Sequence, residues 1–267
     1  MSQRAFRLAY DGAPFHGFQR QPDVPTVEDA LFDALRALGI CEDEPREYSA
    51  AGRTDAGVSA AAQTVTFDCP AWCDPAALNS ELPDAIRAWA AADLPAFHAT
   101  HDAREREYVY ALAAREIDDT RASEAATRLS GEHDFHNLTP DETGTVREIS
   151  IDLERDGEFL LVTVSAGGFP RQLVRRLVSL LRAVGAGAAP LSKVDRVLGP
   201  DPIDGPEGVP PAPAYPLFLA GVAYDVDFAV DPDAAEVARN TFDARRREHA
   251  ARSRVAGGIA DVISVAE

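Results

Sequence analysis

The stretch TVEDALFDALRALG, at residues 26–39, predicts an amphipathic helix, and the order of the elements around it decides the fold. Apolar side chains recur along it at helical spacing: Val27, Ala30, Leu31, Leu35 and Leu38. Thr26 suits the N-cap, acidic residues follow in the first turn, and Gly39 can end the helix. We therefore place a helix here, after a strand at residues 3–10 (RAFRLAYD).

The elements that follow this helix complete a recognisable order. We predict strands at 45–49 and 62–68, a short helix near 74–81 and a strand near 85–92. The two strands enclose a glycine-punctuated loop that contains GRTDAGV. The first half thus has the order β-α-β-β-α-β, which is typical of ferredoxin-like units.

The second half repeats this theme loosely. Its predicted elements are a strand at 105–114, a helix at 120–130, a hairpin turning at Asp156-Gly157, a helix with Pro170 in its first turn, a helical turn at 191–198 and a strand at 216–226. We predict an α+β chain with halves at 1–100 and 101–230 and a charged helical tail at 231–267, its last 15 residues frayed or loosely docked. The proline-rich segment 199–216 is expected to be a surface loop.

The charge composition resembles that of proteins from halophiles. The 267 residues include 26 basic and 44 acidic side chains, for a net charge of −18, and Lys193 is the only lysine. Such a charge would normally argue against nucleic acid as a partner, but at about 1 M salt the Debye length is roughly 3 Å, so only close local contacts decide binding. No apolar run approaches the roughly 18–20 residues that a membrane helix needs, and the N-terminal residues do not resemble a secretory signal. We therefore predict a cytoplasmic protein without a membrane partner.

Metal chemistry is not expected. The chain has three cysteines, and neither these nor the pair His133 and His136 gives the ligand spacing of a structural zinc site.

Asp55 is the first candidate for chemistry. It lies between Gly52 and Gly57, in a loop where the backbone can approach a ligand closely. The alternative is an ordinary turn or cap residue, which is the commoner role of an aspartate in a loop.

Arginines provide the next candidates. Arg171, Arg175 and Arg182 share a stripe of the predicted helix and so require an anion, either protein carboxylates or phosphate. The run at 245–247 is interpreted as a solvated helix face, with an RNA contact as the alternative.

One strand face combines a cation with two aromatic rings. Arg106, Tyr108 and Tyr110 alternate along the predicted strand and therefore share a face. Such a face suits the stacking of a base, or else it closes a core.

Seven motifs, taken in this order, resemble those of the tRNA pseudouridine synthase A family over about residues 4–226. They are RLAYDGAPFHGFQRQ (7–21), AGRTDAGVSA (51–60), FHAT (97–100), REREYVY (104–110), GEHDF (131–135), GGFPRQLVRRLVSLLRAVG (167–185) and APAYPLFLAG (212–221). The resemblance implies the pseudouridine synthase fold: two ferredoxin-like halves, a joined mainly antiparallel sheet and a central cleft. It also implies a homodimer that works without a cofactor on the anticodon arm of tRNA, at positions 38 to 40 in bacterial members.

The resemblance assigns roles to individual residues. Asp55 matches the catalytic aspartate, Arg175 the arginine that pairs with it, and Tyr110 the tyrosine that stacks on the target uracil. Arg53 matches the motif arginine near the flipped nucleotide, and Leu217 matches an apolar pocket wall.

A polar strip and several departures complete the comparison with the family pattern. Gln19, Arg20 and Gln21 match the strip that follows the first strand. Ser59 stands where the family commonly has His, Phe18 replaces a Trp, Pro216 replaces a Gly, and Pro170 and Arg171 alter the start of the arginine helix. These departures bear on substrate range more than on activity.

The implied reaction breaks the glycosidic bond, rotates the uracil and rejoins it through carbon. Asp55 would act as the nucleophile or would abstract the 2′ proton in a glycal route, and Arg175 would keep its carboxylate ionised. The main alternative is an inactive RNA-binding module on the same fold. An aspartic-protease-like hydrolase is disfavoured because the Thr precedes the Asp and no second such element exists, and an inert salt-adapted scaffold leaves the ordered motifs unexplained.

Overall fold

The computed structural model describes residues 1–203 and 205–264, and ten strands of these residues form one sheet. The strands are β1 (Ser2–Tyr10), β2 (Ser49–Ala50), β3 (Ser59–Cys69), β4 (Ile86–Asp93), β5 (Glu105–Ala113), β6 (Gly131–Asp134), β7 (Val146–Asp156), β8 (Phe159–Ala166), β9 (Leu217–Ala223) and β10 (Ala229–Val230). The helices are α1 (Val27–Ala37), α2 (Pro75–Glu81), α3 (Asp119–Leu129), α4 (Leu173–Gly185), α5 (Ser192–Val197) and α6 (Pro232–Ser264).

The strand order shows how the two halves are related and joined. The sheet runs β10-β4-β1-β3-β9-β5-β8-β7-β6, and β2 pairs with β3. In the first half β4 pairs with β1, β1 with β3 and β3 with β2. The second half has the same order, since β9 pairs with β5, β5 with β8 and β8 with β7, and β6 is an addition at the edge. Among the described residues the pairings are antiparallel except that of β3 with β9, where Ser59 is in register with Phe218. The predicted joined and mainly antiparallel sheet is confirmed.

Two apolar cores lie along this sheet. The first contains Phe6, Leu31 and Phe67, and the second includes residues of β5, β8, α3 and α4. The cores interlock, because Val58 of the first half packs into the second core and Leu219 of β9 packs into the first. A domain boundary near residue 100 stays a prediction.

The amphipathic helix at the centre of the sequence analysis is confirmed in detail. The Thr26 side chain accepts a hydrogen bond from the Asp29 backbone N–H at the start of α1. Its face of Val27, Leu31 and Leu35 is buried in the first core. The short helix at 75–81 begins in the same way, with Asp74 as its N-cap.

Two local expectations are wrong. The strand predicted at 45–49 is limited to Ser49–Ala50, since Glu47 takes a positive φ of 54° that breaks an extended run. Pro170 lies before α4, not in its first turn, because Gln172 adopts a left-handed conformation and the helix begins at Leu173. The tail is helical, as expected, from Pro232 to Ser264. Residues 253–263 are exposed but helical rather than frayed, and residues 265–267 lie outside the described part.

Among the described residues, no helix has both the length and the hydropathy that crossing a membrane requires.

Candidate active site

The loop that carries Asp55 is fixed on both sides by hydrogen bonds from the first half. The Phe18 N–H donates to the Thr54 carbonyl at 3.0 Å, and the buried Thr54 and Tyr10 hydroxyls lie 2.8 Å apart. On the other side of the aspartate, the Val58 N–H donates to the Asp55 carbonyl at 3.0 Å. These hydrogen bonds fix the backbone of the loop on either side of the Asp55 side chain.

Two glycines of the motif at residues 7–21 lie in close contact with this loop. A Cβ on Gly12 would lie 2.2 Å from the Val58 carbonyl oxygen. Gly17 has a φ of +103°, and a Cβ there would lie 3.1 Å from the Thr54 carbonyl oxygen. The backbone of the segment that follows β1 thus lies directly against the backbone of the Asp55 loop, which explains why glycine stands at both positions.

We expect Gly12→Ala to lower the free energy of unfolding by about 1–3 kcal/mol or more, because the added methyl group would clash with the backbone at Val58. Denaturant unfolding at constant high potassium would measure this loss. Gly221→Ala is the matched control, since the nearest atom to its added Cβ is 3.9 Å away. Equal stability of the two variants would contradict the close approach.

Asp55 forms an ion pair with Arg175 across the junction of the two halves. Arg175 Nη1 donates to Asp55 Oδ2 at 2.9 Å, and both side chains are partly buried. Arg175 is held in turn by the proline-rich loop, because its Nε donates to the Ala212 carbonyl at 2.7 Å. Among the described residues Asp55 Oδ1 accepts no hydrogen bond, so one carboxylate oxygen is free to meet a ligand.

The ion pair lies in a cleft of about 1110 Å³ whose walls come from both halves. The sequence candidates that line this cleft are Asp55, Arg175, Arg53, Leu217, Gln19 and Arg20. Gln21 does not line it, and its side chain donates to the His16 carbonyl at 2.8 Å. The structure thus brings together six of the eight residues that the family resemblance matches, and the two that do not line the cleft are Gln21 and Tyr110.

The assignment of Tyr110 as the stacking tyrosine requires a correction. Its side chain is 3% exposed in the second core, where Tyr110 is in register with Leu217, and it does not line the cleft. Tyr108 lies on the same strand face and does line the cleft, with Phe169 packed edge-on at 5.3 Å. The shared face was predicted correctly, but the strand runs from the cleft into the core, and only the outer tyrosine remains accessible.

Burial shapes the chemistry of Tyr108. Desolvation raises the pKa of its phenol to about 12, against a smaller opposing effect of the nearby Arg106. Arg106 itself is buried, and its guanidinium donates to the carbonyls of Ala51, Thr100 and Gly167 at 2.5–2.8 Å. Arg106 therefore holds backbone of both halves and presents no free cation to a ligand.

The remaining cleft arginines differ in their partners. Arg20 is bound to Asp29 and Asp43, whereas Arg53 is exposed and has no ion pair among the described residues. Arg53 is thus a cation that remains available to a phosphate.

Carboxylates of the protein form ion pairs with two of the three arginines of the predicted stripe. Arg171 lies before α4 rather than on it, and it binds Asp141, whose pKa is held below its usual range by the Arg171 backbone N–H and side chain. Arg175 binds Asp55, and Arg182 is exposed without an ion pair among the described residues. Arg171 and Arg175 therefore do not need a phosphate as their counterion.

The arginine run in the tail is mostly a solvated face, as expected. Arg246 and Arg247 both pair with Asp243 on the same helix. Arg245 differs, since it pairs with Asp11 at the end of β1 and so attaches α6 to the sheet.

Several cleft residues were missed. Phe169 lies within a quoted motif, but nothing in the pattern indicated that its ring would face Tyr108. His98, His101 and Arg147 also line the cleft. No group of three or more potential metal ligands is found in the part of the chain that the structure describes.

The departures from the family pattern have plain structural explanations where they touch the site. The Ser59 hydroxyl accepts a hydrogen bond from the Gly12 N–H at 3.0 Å and so supports the loop contact. Phe18 is 1% exposed and packs against Tyr10 at 6.3 Å between ring centroids.

Comparisons with known proteins show which chains this one resembles. Residues 125–225 match the model of a family described as tRNA pseudouridine synthase. A tRNA pseudouridine synthase A from Haloarcula marismortui is 58% identical over 97% of this chain and 99% of its own length. One from Natronomonas pharaonis is 58% identical over 96% of this chain and 98% of its own length. A solved archaeal box H/ACA sRNP Nop10-Cbf5 complex gives a TM-score of 0.34 at 16% identity, covering 67% of this chain and 44% of that one, which is too weak to carry an argument.

Proposed function

The chain belongs to the tRNA pseudouridine synthase A family, and on this premise we propose that it isomerises uridine to pseudouridine in the anticodon stem-loop of tRNA, around positions 38 to 40. Asp55 is the proposed nucleophile. The observation that carries the proposal is the Asp55–Arg175 ion pair, which leaves one carboxylate oxygen free in a cleft between the two halves.

The proposed reaction is an isomerisation, so its atoms balance without a co-reactant. Asp55 Oδ1 attacks C1′ of the target nucleotide, and the uracil leaves with the electron pair of the C1′–N1 bond. The uracil rotates, C5 attacks C1′ and displaces the carboxylate, and the C5 proton is lost to solvent while N1 gains a proton. In the alternative glycal route, the same carboxylate removes the 2′ proton.

The cleft offers the contacts that a flipped base needs. Extrusion of the base costs a few kcal/mol, which stacking inside the protein can offset. We assign the stacking to Tyr108 in place of Tyr110, because Tyr108 is the accessible ring beside Asp55. Val58 and Leu217 supply apolar wall, and Arg53 supplies a cation for the backbone of the RNA.

The family resemblance supports two further parts of the proposal. The protein acts as a homodimer, and it acts in the cytoplasm without a cofactor. The halophile-like composition is in keeping with the relatives from Haloarcula and Natronomonas.

Tritium release tests the proposal. A tRNA transcript labelled with [5-³H]uridine, in high-potassium buffer, should lose tritium to water because C5 gives up its proton. Replacing the uridines at positions 38 to 40 by cytidine should abolish release, whereas replacing acceptor-stem uridines should not. Release that survives the first replacement contradicts the anticodon assignment. Absence of release from folded protein that still binds tRNA contradicts the synthase reaction and favours an RNA-binding module.

A further inference from the structure

The proline-rich segment between α5 and β9 forms neither helix nor strand where it approaches the active site, at residues 208–216. We call residues 205–214 the strap. Its prolines at 210, 211 and 213 have a restricted φ and no N–H, so this part of the chain is stiff. The backbone groups that remain must find partners outside a regular ladder. In the strap, several of these partners are arginine and lysine side chains.

Ala212 of the strap bonds to Arg175 through both of its backbone groups. Its carbonyl accepts a hydrogen bond from Arg175 Nε at 2.7 Å, and its N–H donates to the Arg175 carbonyl at 3.0 Å. Because Arg175 Nη1 donates to Asp55 Oδ2, the guanidinium is held by the strap on one side and by the carboxylate on the other. The strap also lies against the Asp55 loop, since a Cβ on Gly57 would be 3.5 Å from the Ala214 Cβ.

A second arginine joins the strap to α4. Arg176 Nη1 donates to the Val209 carbonyl at 2.7 Å, and its Nη2 donates to Gln172 Oε1 at 3.2 Å. Arg176 is partly buried and forms no ion pair among the described residues, and desolvation lowers its pKa. A buried cation without a carboxylate is costly unless polar groups compensate it. The Val209 carbonyl therefore stabilises Arg176, and Arg176 in turn holds the strap.

The far end of the strap is held by Lys193, the only lysine of the chain. Its ammonium donates to the Glu207 carbonyl and also to the Glu207 carboxylate, at 3.1 Å. Arg196 Nη1 donates to the same carboxylate at 3.2 Å. An ammonium has three donors on a compact head, so it can bind the carbonyl and the carboxylate of one residue together.

We propose that the strap positions Arg175 beside Asp55 for the reaction. Arg176 and Lys193 are then positioning residues, because they act on Arg175 only through the strap. The proposal rests on the proposed function, since it assigns the strap a part in turnover. Neither Arg176 nor Lys193 lines the cleft, so neither is placed to bind tRNA there. Misplacement of a reacting group by about 1 Å can cost about 10²-fold in rate. Loosening the strap should therefore lower kcat and leave KM for tRNA unchanged.

Tritium release at a series of tRNA concentrations, in high-potassium buffer, tests the strap. Lys193→Met removes the ammonium but keeps a side chain of similar length, and it should lower kcat at least about 5-fold with KM within about 2-fold of the wild type. Lys193→Arg again offers a cation to Glu207 and should restore most of the turnover. Asp195→Asn is the matched control on the same helix, because it breaks an ion pair with Arg128 without touching the strap, and it should turn over like the wild type.

Arg176→Met loosens the strap at its other end and should show the same fall in kcat per folded molecule. If both residues act through one segment, the double variant Lys193→Met, Arg176→Met should lose less than the product of the two single losses. Losses that multiply would overturn the shared strap.

Amide hydrogen exchange, followed by NMR, reports the position of the strap without any turnover. The Ala212 N–H should exchange faster in Lys193→Met than in the wild type or in Asp195→Asn, because its bond to the Arg175 carbonyl is loosened. The proposal requires faster exchange together with a lower kcat, and either change alone overturns it. A matching rise in KM also overturns it, since the strap would then serve tRNA binding. Absence of release from the wild type contradicts the proposed function and the part of the strap in it, whereas unchanged exchange overturns the role of Lys193 alone.

Discussion

Asp55→Asn should lower tritium release from labelled tRNA by at least about 10⁴-fold, the scale of loss seen when a nucleophile is removed. The amide cannot act as a nucleophile or accept the 2′ proton, so both routes stop. It can still accept the hydrogen bond from Arg175 that Asp55 Oδ2 accepts at 2.9 Å, so the cleft should keep its shape. tRNA affinity, measured by filter binding in the same buffer, should therefore stay within a few-fold of the wild type.

Asp141→Asn is the matched control for this prediction. Asp141 also lines the cleft and also binds an arginine, Arg171, at 2.6 Å. The two variants remove the same charge from the same cleft, but only Asp55 is proposed to react. Similar losses in both would assign the effect to the electrostatics of the cleft. Parallel loss of tRNA binding and turnover in Asp55→Asn would mean that Asp55 binds the substrate and does not react.

The parts of the fold that follow from local sequence signals were predictable. α1 could be placed because Thr26, the first-turn acids and the apolar spacing all indicate the same element. Asp55 could be singled out because its flanking glycines mark a loop of unusual backbone. These signals act within a few residues of the chain, and the structure contains the helix and the loop that they predict.

The parts that depend on distant contacts were not predictable from local pattern. The arginine stripe assumed that Arg171 belongs to α4, but the left-handed Gln172 separates it from the helix, and Asp141 captures it. The parallel pairing of β3 with β9 joins strands more than 150 residues apart, and no local signal records it.

The tyrosine assignment shows the limit most clearly, because a two-residue period cannot tell where a strand enters the core. Arg106, Tyr108 and Tyr110 share a face in the sequence and in the structure. Their environments differ with depth. Arg106 bonds to loop carbonyls, Tyr108 borders the cleft, and Tyr110 is enclosed by the second core.

Tyr108→Ala and Tyr110→Ala should consequently fail in different ways. Loss of the Tyr108 ring removes base stacking worth about 1–3 kcal/mol, so kcat/KM of the folded protein should fall roughly 5- to 150-fold. Because Tyr108 is only half-buried, the accompanying loss of stability should be smaller than that of Tyr110→Ala. Tyr108→Phe keeps the ring and should restore most of the activity. Loss of the buried Tyr110 ring should lower the free energy of unfolding by about 3–5 kcal/mol.

Kinetics and denaturant unfolding on the same preparations separate these effects. Turnover per folded molecule should remain near that of the wild type in Tyr110→Ala, since the second ring does not reach the cleft. The opposite pattern, an active Tyr108→Ala beside a stable but inactive Tyr110→Ala, would require Tyr110 to leave the core when tRNA binds. Leu217, its partner in register, would then have to move with it, because the two side chains occupy paired positions on β5 and β9. Such a rearrangement would expose a buried aromatic ring and a buried leucine, at a cost of about 1.5–3 kcal/mol for each side chain. That cost favours Tyr108, which reaches the cleft with the strand and the core left in place.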